Sequence, residues 1–332
     1  MNKFLIVGLG SMGKRRIRCL TALGYGKDII GFDLRADRRE ESEKKYGVRT
    51  VSDVGKLDFS EIKAVIVSLP PDKHALGAKL GIDHNKPVFI EASVVLEDVQ
   101  SIQEYNKNKK LFVVPSCTLF YHPIIKEIKR IVQSGKYGRL TNFSYHCGQY
   151  LPDWHSWEEV KDFYVSNRIT GGAREIVPFE LTWLTNIFGL PQEVKGIFSK
   201  TIDCKADIED SYAFTLKYKN GIGSMLIDVA ARYGIRHLVI NLEEGQIQWR
   251  IDEKKLRVYE AKTKNWTEFK QPEFQSVHGY NVNINEDMYI EELQAFLDGI
   301  QDSKKYPNTL AKDIQILELL KAVEDSDGGF NR

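Results

Sequence analysis

The chain has 332 residues, with 47 lysines and arginines against 46 aspartates and glutamates, for a formal net charge of +1. So even a balance gives no broad attraction to nucleic acid or to an anionic membrane, and any partner must be recognised at a local site. No apolar run approaches the roughly 20 residues a membrane helix requires, and the four scattered cysteines hold no C-x-x-C pair, so the expectation is a cytoplasmic protein with neither a metal site nor a disulfide framework.

At about 150 residues per domain, the length predicts two domains. The first third alternates β-branched runs with helix-length segments, the runs being Phe4-Leu5-Ile6-Val7, Ile29-Ile30-Gly31-Phe32, Ala64-Val65-Ile66-Val67, Val88-Phe89-Ile90 and Leu111-Phe112-Val113-Val114. Runs of this kind are strands of a parallel sheet covered by helices on both faces. The pattern changes after Pro115, which divides a domain of residues 1–118 from one of residues 119–332. In the second domain a helix over 123–134 precedes six alternating stretches, at 140–149, 192–201, 211–218, 223–231, 237–241 and 246–251. These read as a large, mostly antiparallel sheet. Helices over 286–300 and 309–324 close the chain. The expected fold class is α/β, an N-terminal Rossmann doubly wound sheet followed by an α+β domain. An uncovered apolar sheet face is an aggregation hazard, so this face predicts a homodimer or homotetramer.

Directly after the first run stands Gly8-Leu9-Gly10-Ser11-Met12-Gly13, a G-x-G-x-x-G that opens a helix. Its first glycine permits the tight turn, its second lets backbone approach a pyrophosphate, and its third lets helix and strand pack closely, while the helix N-terminus favours the anion. The second strand ends at Asp33, where an acid accepts hydrogen bonds from ribose hydroxyls and repels a 2′-phosphate. With Leu34 beside it, this predicts NAD. Arg35 and Arg38 keep NADP open, because an arginine past the acid can stack on adenine or clasp a 2′-phosphate. The cluster Lys14-Arg15-Arg16-Ile17-Arg18 reads as a solvated helix face with Ile17 and Leu20 turned inward.

On four features the sequence resembles the glucose-fructose oxidoreductase / inositol dehydrogenase family (Gfo/Idh/MocA). They are the glycine motif, the segment Val67-Ser68-Leu69-Pro70-Pro71-Asp72-Lys73-His74, the segment Lys86-Pro87-Val88-Phe89-Ile90-Glu91-Ala92-Ser93, and Gly171-Gly172 leading a helix that ends in Ile187-Phe188-Gly189. The resemblance implies that Ser68, Leu69, Pro70 and His74 line the cofactor and that Glu91, with Ala92, lies beside the nicotinamide ribose. It also exposes two departures. The family's Glu-Lys-Pro is here Glu91-Ala92-Ser93, so the lysine that positions the substrate hydroxyl is gone. The family's helical histidine, its general base, has Phe179 or Glu180 in its place, and no histidine occurs between His155 and His237.

Another residue must then transfer the proton. Glu180 becomes a candidate base if burial beside Trp183 and Phe179 raises its pKa. Glu175 is the weaker candidate, turned about 140° away on the same helix. The stretch Cys147-Gly148-Gln149-Tyr150-Leu151-Pro152-Asp153-Trp154-His155-Ser156-Trp157-Glu158 concentrates aromatic and titratable groups after a strand, as ligand loops do. It looks like the substrate loop of family members associated with bacterial surface sugars, and so points to an activated or acidic amino sugar. His155, with a pKa near neutrality, is the preferred acid/base. Tyr121, Tyr150, Asp153, Trp154, His155 and Arg174 form the expected substrate set, Arg174 through bidentate binding of a carboxylate or phosphate. His122, before Pro123, reads as a helix cap. The function expected is an NAD(P)-dependent oxidoreductase acting on a sugar-type small molecule. The alternatives are a catalytically inactive nucleotide-binding sensor and a C=N or C=C reductase of similar architecture.

Overall fold

The computed structural model describes residues 3–154, 159–273 and 286–327. The chain divides into two compact units, Met1–Thr118 with Asn285–Gln315, and Leu119–Ile284 with Ile316–Arg332.

In the first unit, strands β1 (Lys3–Val7), β2 (Ile29–Phe32), β3 (Arg49–Val51), β4 (Ile62–Val67), β5 (Val88–Ile90) and β6 (Val113–Pro115) alternate with helices α1 (Ser11–Ala22), α2 (Ala36–Tyr46), α3 (His74–Asp83) and α4 (Leu96–Asn106). The strands lie in the order β3-β2-β1-β4-β5-β6, and every pairing is parallel. This is the doubly wound order of a dinucleotide fold. Phe4, Leu5 and Ile6 are fully buried, as a central strand covered on both faces demands. The sequence reading missed β3, a short edge strand whose Arg49-Thr50-Val51 holds one strongly apolar residue.

The second unit begins with α5 (Pro123–Gln133) and β7 (Leu140–Tyr150), followed by α6 (Ala173–Phe188). Strands β8 (Glu193–Ser199), β9 (Ser211–Tyr218), β10 (Gly221–Asp228), β11 (Ala230–Leu242), β12 (Gly245–Arg250), β13 (Lys255–Glu260) and β14 (Asn265–Lys270) complete an eight-stranded sheet. Its order is β14-β13-β12-β11-β7-β10-β9-β8, antiparallel except where β10 runs parallel to β7. Tyr212, Phe214, Leu216 and Tyr218 alternate into the core with Trp183 and Trp249, while Ile197, Ile222 and Leu226 stand exposed on the other face. The hairpin β13–β14 escaped the sequence reading because Lys255, Arg257, Glu268 and Lys270 interrupt its apolar pattern. Charges of this kind are what keep an edge strand from pairing with another chain.

Two further helices are α7 (Glu286–Gly299) and α8 (Leu310–Asp325). Residues 285–315, within the expected 119–332 stretch, group with the first unit. The reason is packing on α7, where Phe296 meets Phe89 edge-on at 5.5 Å and stacks with Phe112 at 5.7 Å.

The solvated reading of residues 14–18 is corrected. Ile17 and Leu20 do face inward, but Arg15 is 4% exposed and Arg16 is fully buried, and Arg18 donates to Glu286. Arg16 makes two bonds to Glu91, at 2.6 and 2.8 Å, and a third to Glu292 at 2.9 Å. Glu292 also accepts from the Ser116 hydroxyl, the Cys117 amide and the Thr118 hydroxyl at 2.6–2.9 Å. Burial alone would lower the pKa of Arg16, but the charges of Glu91 and Glu292 outweigh it and raise it well above the usual value.

Removing the cation would strand two carboxylates in the interior. Arg16→Met is therefore expected to lower unfolding stability by about 3–5 kcal/mol, measured by urea denaturation, and Arg16→Met/Glu292→Leu to recover part of the loss. A single variant within about 1 kcal/mol of wild type would show that the network does not hold the unit together.

Candidate active site

In the first unit the glycine loop is built as a phosphate cradle. Gly8 has φ +96°, and a Cβ there would stand 2.6 Å from the Ser68 carbonyl oxygen, while a Cβ on Gly13 would stand 1.9 Å from the Gly8 carbonyl oxygen. Neither position accepts a side chain. Gly10 is the N-cap of α1, no side chain caps that helix, and its first turn carries no acid. The positive end of its dipole is thus left for an anion. Ser11 and Met12 are half-buried along this turn. These features fit a dinucleotide pyrophosphate.

At the end of β2, Asp33 is 8% exposed. The Leu9 amide donates to its Oδ2 at 2.8 Å and the Arg35 amide to its Oδ1 at 2.9 Å. Arg38 Nη1 lies 3.6 Å from Oδ2, and the same atom would be 3.6 Å from a Cβ on Gly10. Leu34 is exposed, and Arg35 turns outward to pair with Asp37. Asp33 is therefore fixed by main chain, and of the two arginines it is Arg38 that lies beside it and the loop.

Ser68, Leu69 and Pro70 follow β4. The Ser68 amide donates to Val7 O and its hydroxyl to Glu91 Oε1 at 3.2 Å. His74 Nε2 donates to Leu69 O at 3.0 Å, and its buried Nδ1 has no partner among the described residues. Burial holds this ring neutral, with a pKa lowered to about 4. Glu91 is bound to Arg16 and Ser68, which makes it an anchor of the strand ends, and Ala92 beside it is half-buried.

In the second unit, Glu180 is fully buried. Tyr145 OH and Trp183 Nε1 each donate to its Oε2 at 2.7 Å, and Arg236 Nη2 donates to Oε1 at 2.6 Å. Both of its oxygens are thus engaged, one of them by an arginine, which is the setting of an ion pair inside the unit. Burial, with the charge of Glu180, pushes the Tyr145 phenol well above its usual pKa.

Glu175, one turn earlier, is the opposite case. Tyr164 OH donates to its Oε1 at 2.6 Å, but Oε2 is cut off from solvent and has no hydrogen-bond partner among the described residues. Burial raises this carboxyl to about 7. Arg174 points elsewhere, to Glu324 at 2.7 Å and the Ile169 carbonyl at 2.5 Å, so in this structure its fork is taken up by the protein. His122 sits at the N-cap position of α5 without a side-chain capping bond, buried against Trp249, and that burial lowers its pKa to about 3.

Tyr121 is half-buried beside Lys126. Tyr150 ends β7 under the Arg232 guanidinium, Asp153 is exposed, and the Trp154 indole N–H is buried without a partner among the described residues. His155 lies outside the described residues. Sequence reasoning missed Arg16, Glu292 and Arg232. For Arg16 a signal existed, since it shares a helix face with Gly13 and Leu20, three before and four after. Glu292 and Arg232 gave none, because their partners are remote in the chain.

Comparison with known proteins agrees with this geometry. Residues 2–116 match the model of the oxidoreductase family with an NAD-binding Rossmann fold, GFO/IDH/MocA, and residues 125–248 match the GFO/IDH/MocA C-terminal domain. No curated protein matches in sequence. Among solved structures, an oxidoreductase from Agrobacterium radiobacter in complex with NAD+, L-tartaric acid and magnesium is similar at 14% identity and a TM-score of 0.84, over 99% of this chain and 97% of that one. A levoglucosan dehydrogenase in complex with NADH and levoglucosan is similar at 17% identity and 0.82, over 98% and 97%. A putative NADPH-dependent oxidoreductase from Desulfitobacterium hafniense gives 15% and 0.82, over 98% and 94%. At these identities the three establish a shared fold. The two family matches account for most of the chain, and it belongs to the Gfo/Idh/MocA family of NAD-binding oxidoreductases.

Proposed function

We propose that the protein transfers hydride between NAD and a sugar or sugar derivative, of the activated or acidic amino-sugar kind used in surface polysaccharides. The observation that carries the redox half of this reading is the side-chain-free loop Gly8–Gly13 ending against a main-chain-held Asp33. Support for a sugar comes from the aromatic and polar residues Tyr150, Asp153 and Trp154, and from the levoglucosan dehydrogenase of similar fold. Association through the exposed face of the eight-stranded sheet, as a homodimer or homotetramer, belongs to the same reading.

Bound NAD supplies the hydride acceptor or donor. The chain's own residues hold its phosphates at the α1 amides and its ribose at Asp33, and they must also move one proton. Glu180 is committed to Arg236, and Ala92 offers no charge, which leaves His155 and Glu175. The Glu175 carboxyl, with one bare oxygen and a pKa of about 7, exchanges a proton near neutrality. Below pH 7 it is an acid and above it a base, so substrate oxidation should rise, and reduction fall, as pH passes upward through about 7.

Turnover followed at 340 nm against a panel of sugars and sugar nucleotides tests the reading. With the active substrate, Glu175→Gln is expected to lower kcat by about 10²–10⁴-fold and remove the limb near pH 7, while Glu180→Gln lowers thermal stability. If Glu175→Gln and His155→Ala both retain full turnover, the proton-transfer assignment is wrong. Tight NADH binding with no turnover on any substrate would favour the inactive sensor, the reading suggested by Ala92 and the absent histidine.

Asp33 cannot easily turn away from a 2′-phosphate, since two amides hold it. NADH is therefore expected to bind at least about tenfold tighter than NADPH, and Asp33→Ala, by leaving Arg38 unpaired, to narrow or invert the ratio. A tenfold preference of the wild type for NADPH would overturn the assignment.

A further inference from the structure

Strand β11 breaks register beside β7. Ala230 pairs with Tyr150 and Ile235 with Gly148, so five steps along β11 span two along β7, and the extra residues between Ala230 and Ile235 bulge out. Bulges of this kind re-aim side chains next to functional sites. This one is held rigidly at its start. The Ala230 and Ala231 amides donate to Asp228 Oδ1 at 3.0 and 2.8 Å, and His146 Nε2 donates to Asp228 Oδ2 at 2.6 Å. Gly148 makes room for that carboxylate, because a Cβ there would lie 2.8 Å from Asp228 Oδ2.

The bulge presents Arg232 and Tyr233. The Arg232 guanidinium lies 3.9 Å over the Tyr150 ring, with no carboxylate paired to it among the described residues, and Tyr233 is 74% exposed. Arg236, four residues on, has its charge met by Glu180, and Arg250 by Asp252. Arg232 therefore differs from the other arginines of this strand and its neighbour in being placed by the fold without an acid. Tyr150 gives this cation a face to lie on, which leaves the edge donors of the guanidinium to meet a pair of anionic oxygens. Four residues after Tyr150 in the chain, the buried Trp154 N–H has no partner among the described residues.

We propose that this bulge is the subsite for an anionic group, a carboxylate or a phosphate, on the substrate, with Arg232 as the residue that selects for it. The inference rests on the sugar oxidoreductase reading above and assigns the residue that meets the substrate's charge.

The test is calorimetric titration of the full chain, with NADH present, by glucose, glucuronate, glucose 6-phosphate and inorganic phosphate. At least one anionic sugar is expected to bind about tenfold or more tightly than glucose, and the better of the two identifies carboxylate or phosphate as the group. Arg232→Gln should bring the anionic sugar to the level of glucose, Arg232→Lys should keep part of the preference, and neither should change NADH affinity. A preference that survives Arg232→Gln, or equal binding of glucose and both anionic sugars, overturns the proposal while the sugar reading stands. Arg232-dependent binding of inorganic phosphate with no sugar bound keeps the anion subsite and removes the sugar reading. Binding of none of the four removes both.

Discussion

One guanidinium holds the first unit in its arrangement. Arg16 stands on the helix that opens with the glycine loop, and its two carboxylate partners lie 75 and 276 residues away. A buried charge without partners costs several kcal/mol, so α1, the end of β5 and α7 can only be buried together. Through Glu292 the requirement spreads to Ser116, Cys117 and Thr118 after β6, and through Glu91 to Ser68 after β4. Apolar residues of equal volume could match the stability of such a cluster. They would not oblige the ends of β4, β5 and β6 to meet α7 at one point.

The second unit repeats the logic on helix α6, where two carboxylates five residues apart meet opposite fates. Glu180 faces the sheet, and Tyr145, Trp183 and Arg236 satisfy it. Glu175 is turned away from that cluster, receives one phenol, and has a buried Oε2 with no partner among the described residues. Burial raises the Glu175 carboxyl to about 7.

A second device recurs, the fixing of an acid by main-chain amides. Leu9 and Arg35 hold Asp33, Cys117 contributes to Glu292, and Ala230 with Ala231 holds Asp228. Main-chain donors have no rotamers, so they fix a carboxylate at smaller entropic cost than long side chains would. At Asp33 the result is an acid that stays beside the glycine loop, and at Asp228 it is a bulge that holds its shape.

Much of this was legible in the residues alone. Strands such as Phe4–Val7 and the alternation of 211–218 follow from local periodicity, and the glycine loop and Asp33 from the close approach their spacing demands, because backbone geometry acts over a few neighbours. The edge hairpin β13–β14 was not legible, its charges masking the alternation. Nor were the surroundings of Arg16, Glu175, Glu180 and Arg232. Whether a titratable side chain is an anchor, an acid or a ligand for an anion depends on which remote groups satisfy it, and those contacts exist only once the chain has folded. The sequence by itself determined the two kinds of sheet, the family and the cofactor loop. Only the tertiary structure decided which of its nearly balanced charges cancel one another inside the protein and which remain available to act, because pairing over 75 to 276 residues leaves no local pattern to read.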